Sequence, residues 1–285
     1  MLPLYFICVT IYLTCVAAGI TGTGGPAKSK SFTPKSKSTR HGQCNPFSTN
    51  FTAGSVSQHP LNSYTTLQST GSPFIAISPR NSYDTASGGG LTLYLRKPKG
   101  EVETHDGVNN IVSDGATINS TFVLQYGKVT FDVKAPTIAG VVTAAILIAD
   151  QHDEIDVELV GGDPHRWQSN IYAPKSSDKQ PLWGVFGGVH AVGGTIGEFH
   201  KYSIEWNESE ITWSVDGRVV RSLSASKTMI NGTIHFPTHP SRIQLGIWDA
   251  SSPIGTSEWA KGPIDWKNAP ETISAVVRSV VVECP

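Results

Sequence analysis

From roughly residue 60 to its end, the chain is built of short apolar runs broken by Gly, Pro, Asn, Asp and Ser. Leu91-Thr92-Leu93-Tyr94-Leu95 alternates cleanly, which is the pattern of a half-buried strand. Lys128 to Ala135, Val141 to Ile148 and Glu154 to Leu159 predict three more strands, and the β-branched stretch Ile273 to Val282 predicts a terminal one. Ile211 to Val215 and Arg218 to Leu223 flank Asp216-Gly217, a pair suited to a tight hairpin turn. No segment keeps a 3.6-residue period long enough for a major helix. The pattern therefore predicts an all-β sandwich of two sheets.

The chain divides into three stretches. Leu4 to Val16 is apolar and is followed by Ala17-Ala18-Gly19, so residues 1–19 read as a secretory signal, too short to span a bilayer comfortably. Residues 20–42 are rich in Gly, Ser, Thr, Pro and Lys with no acidic residue, and read as a flexible leader. Residues 43–285 are long enough to bury one substantial core. No apolar tail follows Cys284-Pro285, so no lipid-anchor signal is expected.

Composition narrows the partners. Lysine and arginine (22) nearly balance aspartate and glutamate (23), which argues against a nucleic acid or other polyanion. Few charges, 28 glycines and 18 prolines fit a turn-rich β protein acting on an uncharged substrate. Seven tryptophans suit sugar stacking, although a buried tryptophan filling a sandwich core is the commoner use. Without Cys8 and Cys15 of the signal, Cys44 and Cys284 remain, and one disulfide clasping the ends of the domain is expected. Sequons at Asn50, Asn119, Asn207 and Asn231 mark candidate N-glycosylation sites and agree with export.

The chemistry concentrates in Glu154-Ile155-Asp156-Val157-Glu158. Side chains alternate along a strand, so Glu154, Asp156 and Glu158 share one face while Ile155, Val157 and Leu159 share the other. Such crowding raises at least one carboxyl pKa, keeping one acid protonated while another stays ionised, the pairing glycoside hydrolysis requires. An acidic alternation also occurs by chance on solvated strands. Here Gly161-Gly162-Asp163 turns the chain just after it, and Gln168 and Asn170 follow on the next expected strand. Positions i and i+4 lie ~13 Å apart at Cα, whereas a retaining pair needs carboxyls ~5 Å apart, so the two glutamates must lean together on a curved strand.

His152 to Asp163, together with Gln125 to Val129, Gly140 to Ala144, Gln168-Ser169-Asn170, Phe199 to Trp206 and Ile247-Trp248 through Trp259-Ala260, resembles glycoside hydrolase family 16. Within it, the chain is similar to the fungal cell-wall transglycosylases of the Crh type, over roughly residues 60–284. The resemblance implies a concanavalin-like jelly roll of two antiparallel sheets with a substrate cleft on the concave one. It implies Glu154 as nucleophile, Asp156 as its assistant and Glu158 as general acid/base. It also places aromatics at Trp248 and Trp259, expected as sugar platforms, with Gln168 and Asn170 as hydrogen-bonding partners. His152 and Ile171-Tyr172 depart from the commonest Crh residues, which leaves open whether chitin, β-1,3-glucan or a mixed-linkage glucan is the donor.

The expectation is thus a secreted, monomeric wall glycosidase and transglycosylase working on chitin and β-glucan. A β-glucan hydrolase and a carbohydrate-binding wall protein without catalysis are the alternatives. No cofactor is expected, and a structural calcium ion, present in parts of the family, is left open. His190, His200, His235 and His239 lack ligand spacing for a metal.

Overall fold

The computed structural model describes residues 43–59, 71–86 and 89–285; the signal and leader stretches lie outside them. The two-residue periodicity resolves into two eight-stranded sheets. One runs Arg218–Ser224, Glu210–Val215, His200–Trp206, Gly127–Lys134, Thr272–Glu283, Leu91–Arg96, Tyr83–Asp84, with Phe47–Thr49 also on Thr272–Glu283. The other runs Gly188–Ala191, Arg166–Tyr172, Glu154–Val160, Val141–Ala149, Ser241–Asp249, Ala116–Ser120, Phe74–Ala76, Val56–Gln58.

Every strand expected from the alternation is present, each with ends within one or two residues of the sequence reading. At the Asp216-Gly217 turn both residues have positive φ, 50° and 77°, the backbone a two-residue primed hairpin demands. The only α-helix among the described residues is Ile254–Trp259, six residues long. One expectation needs correcting: Val56–Gln58 pairs with Phe74–Ala76 in parallel, so that sheet is mixed at its edge.

Between the sheets, Ile155, Val157 and Leu159 meet Ile204, Trp206, Trp213, Phe131 and Trp167 in one continuous core. The opposite face of the second sheet stays partly open. Glu158, Gln168, Asn170, Tyr172, Ala144, Gln244 and Trp248 are each half-buried, while the residues alternating with them are buried. Cys44 and Cys284 are bonded, S–S 2.02 Å, and join the two ends of the described domain where Phe47–Thr49 pairs with Thr272–Glu283.

Candidate active site

The strand Glu154–Val160 lies between Val141–Ala149 and Arg166–Tyr172. Its register sets Glu154 opposite Tyr172, Asp156 opposite Asn170 and Glu158 opposite Gln168. On the other flank, Ile148, Ile146 and Ala144 face the same three acids, so apolar side chains border them on that side. The strand ends at Gly161, where the Ile138 backbone leaves no room for a Cβ.

The acids are far from equally solvated. Glu154 is 5% exposed and Asp156 4%, while Glu158 is only half-buried. Burial, then the charges of Glu154 and Glu158, push the Asp156 carboxyl well above the usual carboxylate range; the Asn170 hydrogen bond opposes this. Burial and the Glu154 charge push Glu158 up to about 8. Four residues apart on one face of the strand, Glu154 and Glu158 are close enough for the charge of one to act on the other. Protonated, Asp156 donates to Glu154, while the Asn170 amide donates to Asp156. Asp156 Oδ1 and Asn170 Oδ1 are both buried with no partner, acceptors that a sugar hydroxyl could satisfy.

Asp153, the acid just before the run, has a different use. Its Oδ2 accepts from the Thr238 and His239 backbone N–H groups at 2.7 and 3.1 Å and from His239 Nδ1 at 2.8 Å. At 1% exposed, it pins the 236–241 segment rather than facing a ligand.

The two candidate platforms separate. Trp248 and Trp259 stack with centroids 5.9 Å apart and planes 21° from parallel. Trp248, from strand Ser241–Asp249, is half-buried, whereas Trp259, from the short helix, is 6% exposed beside Val142, Val160, Ala250 and Ala260. Trp259 therefore supports Trp248 and is not itself an open platform. Its Nε1 donates to Gln168 Oε1 at 2.9 Å, which brings Gln168 into the same wall beside Glu158. Five of the seven tryptophans (Trp167, Trp206, Trp213, Trp259 and Trp266) are buried, leaving Trp183 and Trp248 half-exposed.

Asn50, Asn207 and Asn231 are exposed, as glycosylation requires. Asn119 departs from the expectation: it is 9% exposed within the strand Ala116–Ser120, so the folded domain does not present it for a glycan. Among the described residues, no group of three or more His, Cys, Asp or Glu side chains is arranged to hold a metal ion. No helix is long and apolar enough to cross a membrane, again among the described residues.

The sequence model of glycosyl hydrolases family 16 matches residues 72–268, which includes the whole acidic strand and both stacked tryptophans. The chain belongs to that family. It is 31% identical to Crh-like protein CRH11 of Candida albicans over 74% of this chain and 42% of that protein. It is 39% identical to Crh-like protein 2 of Aspergillus fumigatus over 60% of this chain and 40% of that protein. It thus spans under half the length of these two curated relatives. Among solved structures it is similar to Crh5 transglycosylase in complex with NAG, at TM-score 0.64 and 27% identity, covering 85% of this chain and 88% of that one. A Bacillus licheniformis β-glucanase has the same fold, at TM-score 0.60 and 18% identity, covering 85% of this chain and 99% of that one. The all-β jelly-roll sandwich expected of the family 16 chain is the architecture observed.

Proposed function

We propose that the domain is a secreted retaining glycosidase acting mainly as a transglycosylase on cell-wall polysaccharide. A Glu154 carboxylate oxygen attacks the anomeric carbon while Glu158 donates its proton to the leaving oxygen. The glycosidic C–O bond breaks and a glycosyl ester forms on Glu154. Asp156 holds the nucleophile by hydrogen bond and takes up the crowding of charge by staying protonated. Glu158, now ionised, accepts the proton of an incoming sugar hydroxyl, whose oxygen displaces Glu154.

The observation that carries this reading is the row of Glu154, Asp156 and Glu158 on one strand face, the first two buried and Glu158 half-buried at the open edge, an acid whose pKa burial and the Glu154 charge raise. Such an acid is protonated at neutral pH, as the first step needs. Chitin or β-glucan as donor, a β-glucan chain as acceptor, a monomeric state and independence of any cofactor complete the proposal. The likeness to Crh-like proteins and to a Crh5 structure holding NAG supports the donor class.

Chitin-type oligosaccharide donors with a labelled β-glucan oligosaccharide acceptor test it. Label should enter longer hybrid products. Shortened donors alone, at millimolar acceptor, would instead assign a hydrolase.

A further inference from the structure

Arg221 is a cation pointing the wrong way. It lies on Arg218–Ser224, an edge strand of the sheet facing away from the acids, yet its half-buried side chain reaches across to the other sheet. Its guanidinium stacks 4.6 Å over the Trp213 ring, the residue opposite it in the hairpin. Arg166, Arg242 and Arg278 each pair with a carboxylate; Arg221 pairs with none among the described residues. Even half-burying an arginine without a counter-charge is costly unless its donors find acceptors.

Its hydrogen bonds all reach toward the active-site sheet. Nη1 donates to the Ser169 carbonyl at 3.1 Å and to Ser169 Oγ at 2.8 Å, and Nη2 donates to the Phe186 carbonyl. Ser169 Oγ, accepting from Arg221, keeps its own hydrogen for a neutral His190 ring whose Nε2 lies 2.7 Å away. Burial, then the Arg221 charge, hold the His190 pKa down, in keeping with a neutral ring that accepts there. Ser169 sits between Gln168 and Asn170 and pairs with Val157, which sits between Asp156 and Glu158. From the same hairpin, the fully buried Trp213 donates its Nε1–H to the Asp156 carbonyl at 3.0 Å.

We infer that Trp213 and Arg221 are positioning residues: a stacked pair on the opposite sheet that fixes, from behind, the backbone of both active-site strands. The inference rests on the glycosidase reading above. Asp156 must meet Glu154 and Asn170 at once, and a tilt of its peptide re-aims its carboxyl against both. A misplacement of about 1 Å can cost on the order of 100-fold in rate. An inward charge on an edge strand also discourages edge-to-edge association. That role requires no bond to Ser169 or Phe186, and a lysine would fill it.

The test uses W213F, which keeps an aromatic ring without the donor, and R221K, which keeps the charge without the planar fork. For W213F, kcat should fall at least about tenfold with KM within about twofold, and melting temperature should drop by only the few degrees that a smaller ring in the core costs. R221K should lose kcat in the same sense, several-fold. Hydrogen exchange should quicken in both variants, confined to residues 154–160 and 166–172. Wild-type kcat and exchange in both variants would overturn the inference. So would a loss of protection across the whole domain with a matching drop in melting temperature, the mark of plain core packing. If wild-type protein turned over no chitin or β-glucan oligosaccharide, the glycosidase reading would fail. Exchange in the two strands would then still decide whether this pair holds them.

Discussion

The Trp259 indole donates to the Gln168 side-chain oxygen at 2.9 Å, linking the short helix to the strand beside the acidic one. With its oxygen so occupied, the Gln168 amide keeps its two N–H donors for other partners near Glu158. Trp259→Phe keeps the stack on Trp248 and frees that amide. The loss is about 1 kcal/mol, a roughly fivefold rise in donor KM with little change in kcat. Trp248→Ala removes the half-exposed ring and should shift products from transfer toward hydrolysis, read from the ratio of labelled hybrids to shortened donors. Unchanged product ratios would remove Trp248 from acceptor binding.

Glu154→Gln and Glu158→Gln should each lower turnover by more than about 100-fold while the protein stays folded. Asp156→Asn should be milder, because an amide still donates to Glu154 but shares no proton. Steady-state rates alongside far-UV circular dichroism check both halves of the statement. Near-wild-type turnover in a folded glutamine variant would exclude that residue from the chemistry.

The Glu158 pKa of about 8 also gives a sign for stability. Its ordinary value is 4.5, so between those limits the folded chain binds the proton and the unfolded chain does not. Stability conferred by the protonated form is therefore full below about 4.5 and lost as pH rises toward 8. Glu158→Gln mimics the protonated acid at every pH. Its melting temperature should match wild type near pH 4.5 and exceed it increasingly up to about pH 8. A constant difference would mean Glu158 does not titrate in that window. In the wild type, kcat/KM should show its alkaline limb near 8.

Two carboxylates elsewhere carry the opposite sign. The hydrogen bond from His235 Nε2, at 2.8 Å, holds Asp178 below the usual range. Hydrogen bonds from His200 Nδ1, at 2.7 Å, and the Lys201 N–H outweigh the effect of burial on Asp216 and depress it too. A depressed pKa gives stability present above about 3.8 and lost as pH falls through the folded value. Asp178→Asn should lower the melting temperature by a few degrees at pH 7, with the gap closing near pH 2. A gap that persists at pH 2 would assign the loss to packing.

The Cys44–Cys284 disulfide closes a loop of 240 residues. Chain entropy assigns such a loop about 5 kcal/mol, an upper figure because unfolded chains retain structure. Replacing both cysteines with alanine should move the denaturant midpoint down without altering the strand Glu154–Val160. An unchanged midpoint would show that the ends are held by the Phe47–Thr49 pairing alone.

Much of this protein follows from its sequence because the deciding property is local. A two-residue period sets which side chains share a face, so the Glu154, Asp156, Glu158 row and its apolar reverse are legible without any partner strand. Asp216-Gly217 specifies its own turn, and the two cysteines left after the expected signal leave one pairing. What depends on strands meeting from distant parts of the chain was not legible. That Asp153, just before the acidic run, would be taken by the 236–241 segment was not visible in the sequence. Trp248 and Trp259 looked equivalent until packing buried one beneath the other. Asn119 reads as a glycosylation site and lies within the sheet. Trp213 and Arg221 carry no motif at all; 57 residues separate Trp213 from Asp156, and 52 separate Arg221 from Ser169. The local period sets what each strand offers, and only the long-range register and the packing of sheet on sheet decide what it meets.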